Sequence, residues 1–256
     1  MLVCALNLLL ALYNMEHHPR LNFENLKITQ EKIILGSFPT WSLSDLTNCS
    51  PEVIYEKSEI RKNKGEFPFF YGSSTNLFWR WYKLFVDLEL ECTNISAIIT
   101  SLEQHKIGIT DVIKSCDRKG RSALDHHLIN RTYNQNFFVY PSLGGCLKIL
   151  CTSKGVLNQM LLSKSFFKIH DRITIDNLAS EEFELEHVKK LNGNGHLIKT
   201  PIFRKLNVLG GGTIECLAIP SPGSPYRSLG KFGLDSPDNL NYLNKYIKEA
   251  FGWFLV

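Results

Sequence analysis

Residues Glu66 to Phe85, EFPFFYGSSTNLFWRWYKLF, hold a small polar knot, Gly72-Ser73-Ser74-Thr75-Asn76, between two aromatic clusters. Aromatic clusters alone make core. A knot of glycine, hydroxyls and one carboxamide set between them makes a pocket instead. The glycine and serines leave room, the rings of Phe70 and Tyr71 offer stacking walls, and Asn76 carries both a donor and an acceptor. Three further short segments have the same small, polar or proline-containing character: Gly36-Ser37-Phe38-Pro39-Thr40, Thr152-Ser153-Lys154-Gly155, and Pro220-Ser221-Pro222-Gly223-Ser224-Pro225-Tyr226-Arg227-Ser228.

Each of these three segments follows an apolar run. Lys32 to Leu35, Cys146 to Cys151 and Thr213 to Ile219 read as buried strands, because short apolar runs bounded by Gly, Pro and Ser are the look of central parallel strands. Helical patterns lie between them. Leu77 to Leu88 places Phe78, Trp81, Tyr82 and Phe85 on one stripe, Gly155 to Leu162 is a shorter helix, and Ser236-Pro237-Asp238 caps a helix running to about Phe251. Strands alternating with helices predict an α/β three-layer sandwich, with a central, mostly parallel four-stranded sheet flanked by helices. The polar stretches Asn48 to Gly65 and Phe166 to Gly195 read as inserts in a single domain over residues 21–256. Gly210-Gly211-Gly212 is followed by a strand rather than a helix, so it reads as a turn and not as a phosphate-binding fingerprint.

Ligands of an open parallel sheet bind beyond the carboxyl ends of its strands. The three loops therefore converge there, and the aromatic knot joins them. A flat, aromatic-walled pocket with amides and few charges suits a nucleobase, and the slim Pro-Ser-Pro-Gly-Ser-Pro loop lets backbone N–H groups and hydroxyls approach phosphates. Blander readings stay open beside these: Asn76 stands just before a helix and serves as its cap, and the proline-serine loop is a rigid turn.

Composition bounds the class. The chain has 256 residues, 44% of them hydrophobic, and a net charge of +4, which fits a globular protein compatible with a nucleic-acid partner. Its seven cysteines are scattered without a C-x-x-C pair, which predicts free thiols in a reducing cytoplasm and no structural metal. The pairs His17-His18 and His126-His127 lack helical ligand spacing and read as solvated side chains. The apolar N-terminal run MLVCALNLLLALY is shorter than the ~20 residues of a membrane helix, so residues 1–20 read as a docking helix or as an upstream start, with Met15 opening the domain.

The motifs carry a resemblance. FPFFYGSSTNLFW resembles the segment F-P-F-x-H-P-x-N-x-F-W of the mismatch-specific uracil-DNA glycosylases. LGSFP resembles the first motif of the uracil-DNA glycosylase superfamily, and IPSPGSP its second. IGITDVI and KILCTSKGV fall in the matching order, resembling G-V-T-x-L-V and the strand-Gly-Lys segment. The resemblance spans Lys32 to Lys231, inserts apart. Phe38 stands where that family carries a catalytic Asn or Asp, Ile219 replaces the His opening the second motif, and Thr152 sits near the base-reading Asn. That pattern is most similar to the hypoxanthine-DNA glycosylase branch, in which the Asn before F-W takes the catalytic role; here that residue is Asn76.

The resemblance implies a monofunctional DNA glycosylase of the base excision repair type, cleaving the N-glycosidic bond of a flipped-out deaminated base such as hypoxanthine or uracil. It implies a monomer without cofactor, associated with the nucleoid of a bacterial cytoplasm. In that reading Asn76 positions water or braces the departing base. Gly36, Ser37, Phe38, Pro39, Gly72, Ser73 and Thr152 form the base pocket, and Tyr71, with Phe70 second, stacks on the base. Lys154, Ser221, Pro222, Gly223, Ser224, Tyr226 and Arg227 meet the DNA backbone. No lysine stands in a context that marks a Schiff-base nucleophile. A catalytically degenerate nucleic-acid-binding protein of the same fold is the principal alternative; a generic α/β hydrolase acting on nucleotides ranks behind it, lacking a nucleophile elbow, P-loop or metal cluster.

Overall fold

The computed structural model describes residues 15–21, 31–47, 49–122, 124–134, 144–163, 172–192, 202–228 and 239–256. The N-terminal apolar run, the cap Ser236-Pro237-Asp238 and both ends of the second insert lie outside the described residues. In chain order the strands are β1 (Met15–His17), β2 (Lys32–Gly36), β3 (Ile107–Asp111), β4 (Ile113–Arg118), β5 (Leu128–Tyr133), β6 (Cys146–Cys151), β7 (Ile173–Asp176), β8 (Phe203–Val208) and β9 (Thr213–Ala218). The α-helices are α1 (Pro51–Lys64), α2 (Phe78–Phe85), α3 (Ile95–Gln104), α4 (Asn177–Asn192), α5 (Pro225–Ser228) and α6 (Asn239–Leu255), with a π-helix at Val156–Leu161.

Contacts gather the chain into two compact units. Unit 1 takes β1, Ser37–Ser74 and Asp111–Asn134; unit 2 takes β2, Thr75–Thr110 and the described residues after Asn134. Unit 1 is built on the antiparallel sheet β1-β4-β5. Its helix α1, expected as a polar insert, begins with Pro51 in the first turn and Glu52 beside it, and ends at Gly65 after Arg61, Lys62 and Lys64. These are ordinary start and stop signals. Lys57 is the one buried residue of this helix.

Unit 2 carries the sheet β3-β2-β6-β9-β8-β7. Its middle is parallel, as the apolar runs predict: β2 pairs with β6, and β6 with β9. The sheet is mixed and six-stranded, however, not a mostly parallel sheet of four strands, because β8 and β7 extend it in antiparallel fashion. These two strands were hidden for a physical reason: they bury only Ile173, Phe203, Leu206 and Val208, scattered among polar neighbours, so no continuous apolar run marks them. The Gly210-Gly211-Gly212 stretch is the turn between β8 and β9, with φ of 98°, 100° and 93°, values that glycine adopts without strain.

Helix α2 buries Phe78, Trp79, Trp81 and Tyr82. Its ring stripe meets α6, where Phe251 lies 6.2 Å from Phe78 and stacks on Phe85 at 6.3 Å. Tyr246 of α6 donates its hydroxyl to the Ala218 carbonyl at 2.6 Å, fixing the helix against the end of β9. Among the described residues no helix is long and apolar enough to cross a membrane.

Candidate functional site

The carboxyl edge of the parallel strands comes first. Leu35 registers against Cys151, and Cys151 against Ala218. The ladder continues one residue further: Thr152 N–H donates to the Leu35 carbonyl at 2.9 Å, and Ile219 N–H to the Cys151 carbonyl at 2.9 Å. Gly36, Thr152 and the Pro-Ser loop therefore leave the sheet side by side. In that loop Ser224 N–H donates to the Ser221 carbonyl at 3.0 Å, closing a turn that leaves Gly223, Ser224, Tyr226 and Arg227 exposed. Lys154 is 8% exposed, largely enclosed at the start of the helical turn after β6.

The N-terminus of α2 is tied to this edge. Leu77 N–H donates to the Pro222 carbonyl at 3.0 Å. One residue earlier, Asn76 Oδ1 accepts the Phe78 N–H at 2.9 Å. Asn76 thus satisfies the N–H of the first helical residue although Leu77 holds the cap position itself, and this has a chemical consequence. An N–H donor must meet the oxygen of a carboxamide, so the orientation of this amide is fixed. Its NH₂ group has no other partner among the described residues, and Asn76 is half-buried. The residue offers an oriented donor in addition to the cap.

Unit 1 holds a second polar centre around the loop after β2. Ile113 N–H donates to the Ser37 carbonyl at 3.1 Å, and the Ser37 hydroxyl is near enough to the Asp125 carboxyl to influence it. Arg118 donates to the Pro39 carbonyl at 2.7 Å, grips Glu16 through Nε at 3.0 Å, and lies 5.6 Å from the centre of the Phe38 ring. His18, expected in solvent, is buried. Its Nε2 donates to Asp111 Oδ2 at 2.8 Å, and its Nδ1 accepts the Arg20 N–H at 3.1 Å, which fixes the tautomer. The same ring packs against Phe70 at 5.1 Å and edge-on to Phe38 at 5.8 Å.

Two carboxyl groups in this centre are set apart by their surroundings. Asp111 keeps Oδ1 buried with no hydrogen-bond partner. The carboxyl of Asp125 is pushed above its ordinary range, chiefly by burial and also by the charge of Asp111; the Ser37 hydroxyl, Arg131 and Arg118 pull the other way. A carboxyl that holds its proton longer than usual is suited to the acid role in proton transfer.

The aromatic knot divides between the units, since the boundary falls between Ser74 and Thr75. Phe70 is 4% exposed and belongs to the unit 1 core; Tyr71 is half-buried at φ 57°. Gly72 is demanded by close approach, because a Cβ there would stand 2.1 Å from the Phe67 carbonyl oxygen. Ser73 Oγ donates to Glu66 Oε1 at 3.3 Å. His18, Asp111, Arg118 and Asp125 have no local sequence signal, apart from the position of Asp111 inside ITDVI. No family model, no curated protein and no solved structure matches the chain.

Proposed function

We propose that this chain is a DNA glycosylase of the uracil-DNA glycosylase superfamily, hydrolysing the N-glycosidic bond of a deaminated base flipped out of DNA. The observation that carries the reading is the fixed carboxamide of Asn76. Its oxygen is committed to Phe78 N–H, its NH₂ group is available, and the next residue is bonded to the proline-serine loop at the carboxyl edge of the sheet. In this reading the six-stranded sheet elaborates the four-stranded, three-layer arrangement of that family.

The chemistry follows from what each group can do. A carboxamide does not titrate in the working range, so Asn76 donates a hydrogen bond to the negative charge that develops on the departing base. Exposed Arg227 and Tyr226 meet the DNA backbone, and flipping costs a few kcal/mol, least at a mismatch.

The test is single-turnover excision from oligonucleotides holding hypoxanthine, uracil or xanthine. Asn76→Asp keeps the cap acceptor and loses the donor. Its melting temperature stays near that of the wild type while excision falls ~10²–10³-fold. Wild-type excision rates in the Asp variant would reduce Asn76 to a cap. Tight, base-selective binding without excision by the wild type would favour the non-catalytic reading, to which the packing of Phe38 against Arg118 and His18 lends weight.

A further inference from the structure

Unit 1 contains a cavity of about 540 Å³ that the readings above leave without a role. Its lining includes Glu16 and His17 from β1, Trp41, Cys49, Lys57 from α1 and Arg118 from β4. Of its lining residues Ser50 and Gly120 are exposed, whereas Lys57 is 1% exposed. The volume is that of a small-molecule site, with room for a sugar and a phosphate.

Lys57 is an unusual lysine. Its Nζ donates to the Ser44 hydroxyl at 2.9 Å and to the Asp45 backbone carbonyl at 3.3 Å, and it sits 5.2 Å from the centre of the Trp41 ring. These oxygens are neutral. Among the described residues no carboxylate lies within ion-pair distance of this amine. Burial lowers its basicity first, with the Arg61 guanidinium adding to the effect and Cys49 and Glu16 opposing it. A desolvated lysine near a second cation, facing a cavity, is how an amine becomes a nucleophile towards a carbonyl carbon.

We propose that Lys57 forms an imine with the ring-opened aldehyde of an abasic site in DNA. The choice of aldehyde rests on the glycosylase reading, because hydrolysis at C1′ leaves a hemiacetal in equilibrium with that aldehyde. Position favours it as well. Arg118, which lines the cavity, also holds the Pro39 carbonyl and the Phe38 ring of the loop after β2. The step balances without a further reagent. The lone pair of the neutral amine adds to the C1′ carbonyl, the nitrogen passes a proton to the oxygen, and the carbinolamine expels water to leave a C=N bond. His17, Asp45 and Glu16 also line the cavity.

The test uses the full chain and an abasic duplex prepared beforehand without this protein, so it does not depend on which base the protein excises. Borohydride reduces an imine to a stable amine, and the expected result is a covalent protein–DNA adduct on a denaturing gel. A duplex carrying the tetrahydrofuran analogue, which has no aldehyde, gives none. Peptide mapping of the wild-type adduct places the modification on Lys57, and Lys57→Arg loses the adduct while keeping the positive charge. The mapping decides the matter even if the variant folds poorly. Binding of the tetrahydrofuran duplex without trapping of the abasic one overturns the imine alone, and so does an adduct mapped to another lysine. Failure to bind either duplex overturns the glycosylase reading with it.

Discussion

The carboxyl edge of the unit 2 sheet and the polar centre of unit 1 organise functional groups in opposite ways. At the edge, backbone geometry does the positioning. Parallel registry sets Gly36, Thr152 and Ile219 beside one another, and the cap of α2 aims Asn76. In unit 1, side chains position side chains: His18 holds Asp111, Ser37 meets Asp125, and Arg118 binds Glu16 and Pro39 together. A backbone-built site tolerates substitution of its neighbours, because the hydrogen bonds that shape it belong to every residue type. A site built from buried polar pairs does not, since losing one partner strands the other.

This contrast can be broken most directly by removing His18. His18→Ala leaves both carboxylate oxygens of Asp111 buried without a hydrogen bond and costs about 3–5 kcal/mol of stability. Ile219→Val, at the end of β9, costs only about 0.5–1.5 kcal/mol. Urea denaturation of the two variants compares them, and equal losses would erase the distinction. Gly72→Ala comes next. Its Cβ would overlap the Phe67 carbonyl oxygen, which is backbone and cannot rotate away, so about 1–3 kcal/mol is expected by the same assay.

A pH series sharpens the comparison further. Asp125 in the folded protein binds its proton more tightly than at the ordinary value of 3.8. Between that value and the raised one the folded state holds a proton that the unfolded chain has lost, so this group makes stability fall as pH rises across the window. Asp125→Asn, which keeps an acceptor for Ser37, removes that fall. Parallel pH profiles for the two proteins would show that the carboxyl is not perturbed. The smallest effect belongs to the exposed loop of unit 2. Arg227→Ala weakens DNA binding alike across sequences and flattens the slope of log K against log salt by about one.

Legibility in the sequence follows the same contrast. The middle strands announce themselves as apolar runs ending in small residues, and α2 as a stripe of rings, because both patterns are local. Helix α1 escaped notice because its apolar residues form no single stripe and only Lys57 is buried, although Ser50-Pro51 and Gly65 marked its ends. Strands β7 and β8 were masked because their few buried residues are scattered among exposed and half-buried ones. The His18–Asp111 bond spans 93 residues of chain, and no periodicity carries such a pairing. Asn76 was legible as a polar group beside a helix start, and its oxygen does accept the Phe78 N–H.

The way the chain alternates between the units bears on how the protein comes off the ribosome. Unit 1 has received its last segment once Asn134 is synthesised, and unit 2 still awaits β6, β7, β8, β9 and α6. At that moment β2 has already been made, but its sheet neighbour β6 does not yet exist. The nascent chain therefore carries a fully buried apolar strand, Ile33-Ile34-Leu35, with that side of its ladder unpaired until Cys146 to Cys151 emerges. Translation at ~5–20 residues per second makes that wait a matter of seconds. A pause in the message after Asn134 would lengthen it, and the same strand would then be the place where the unfinished protein meets a chaperone or aggregates.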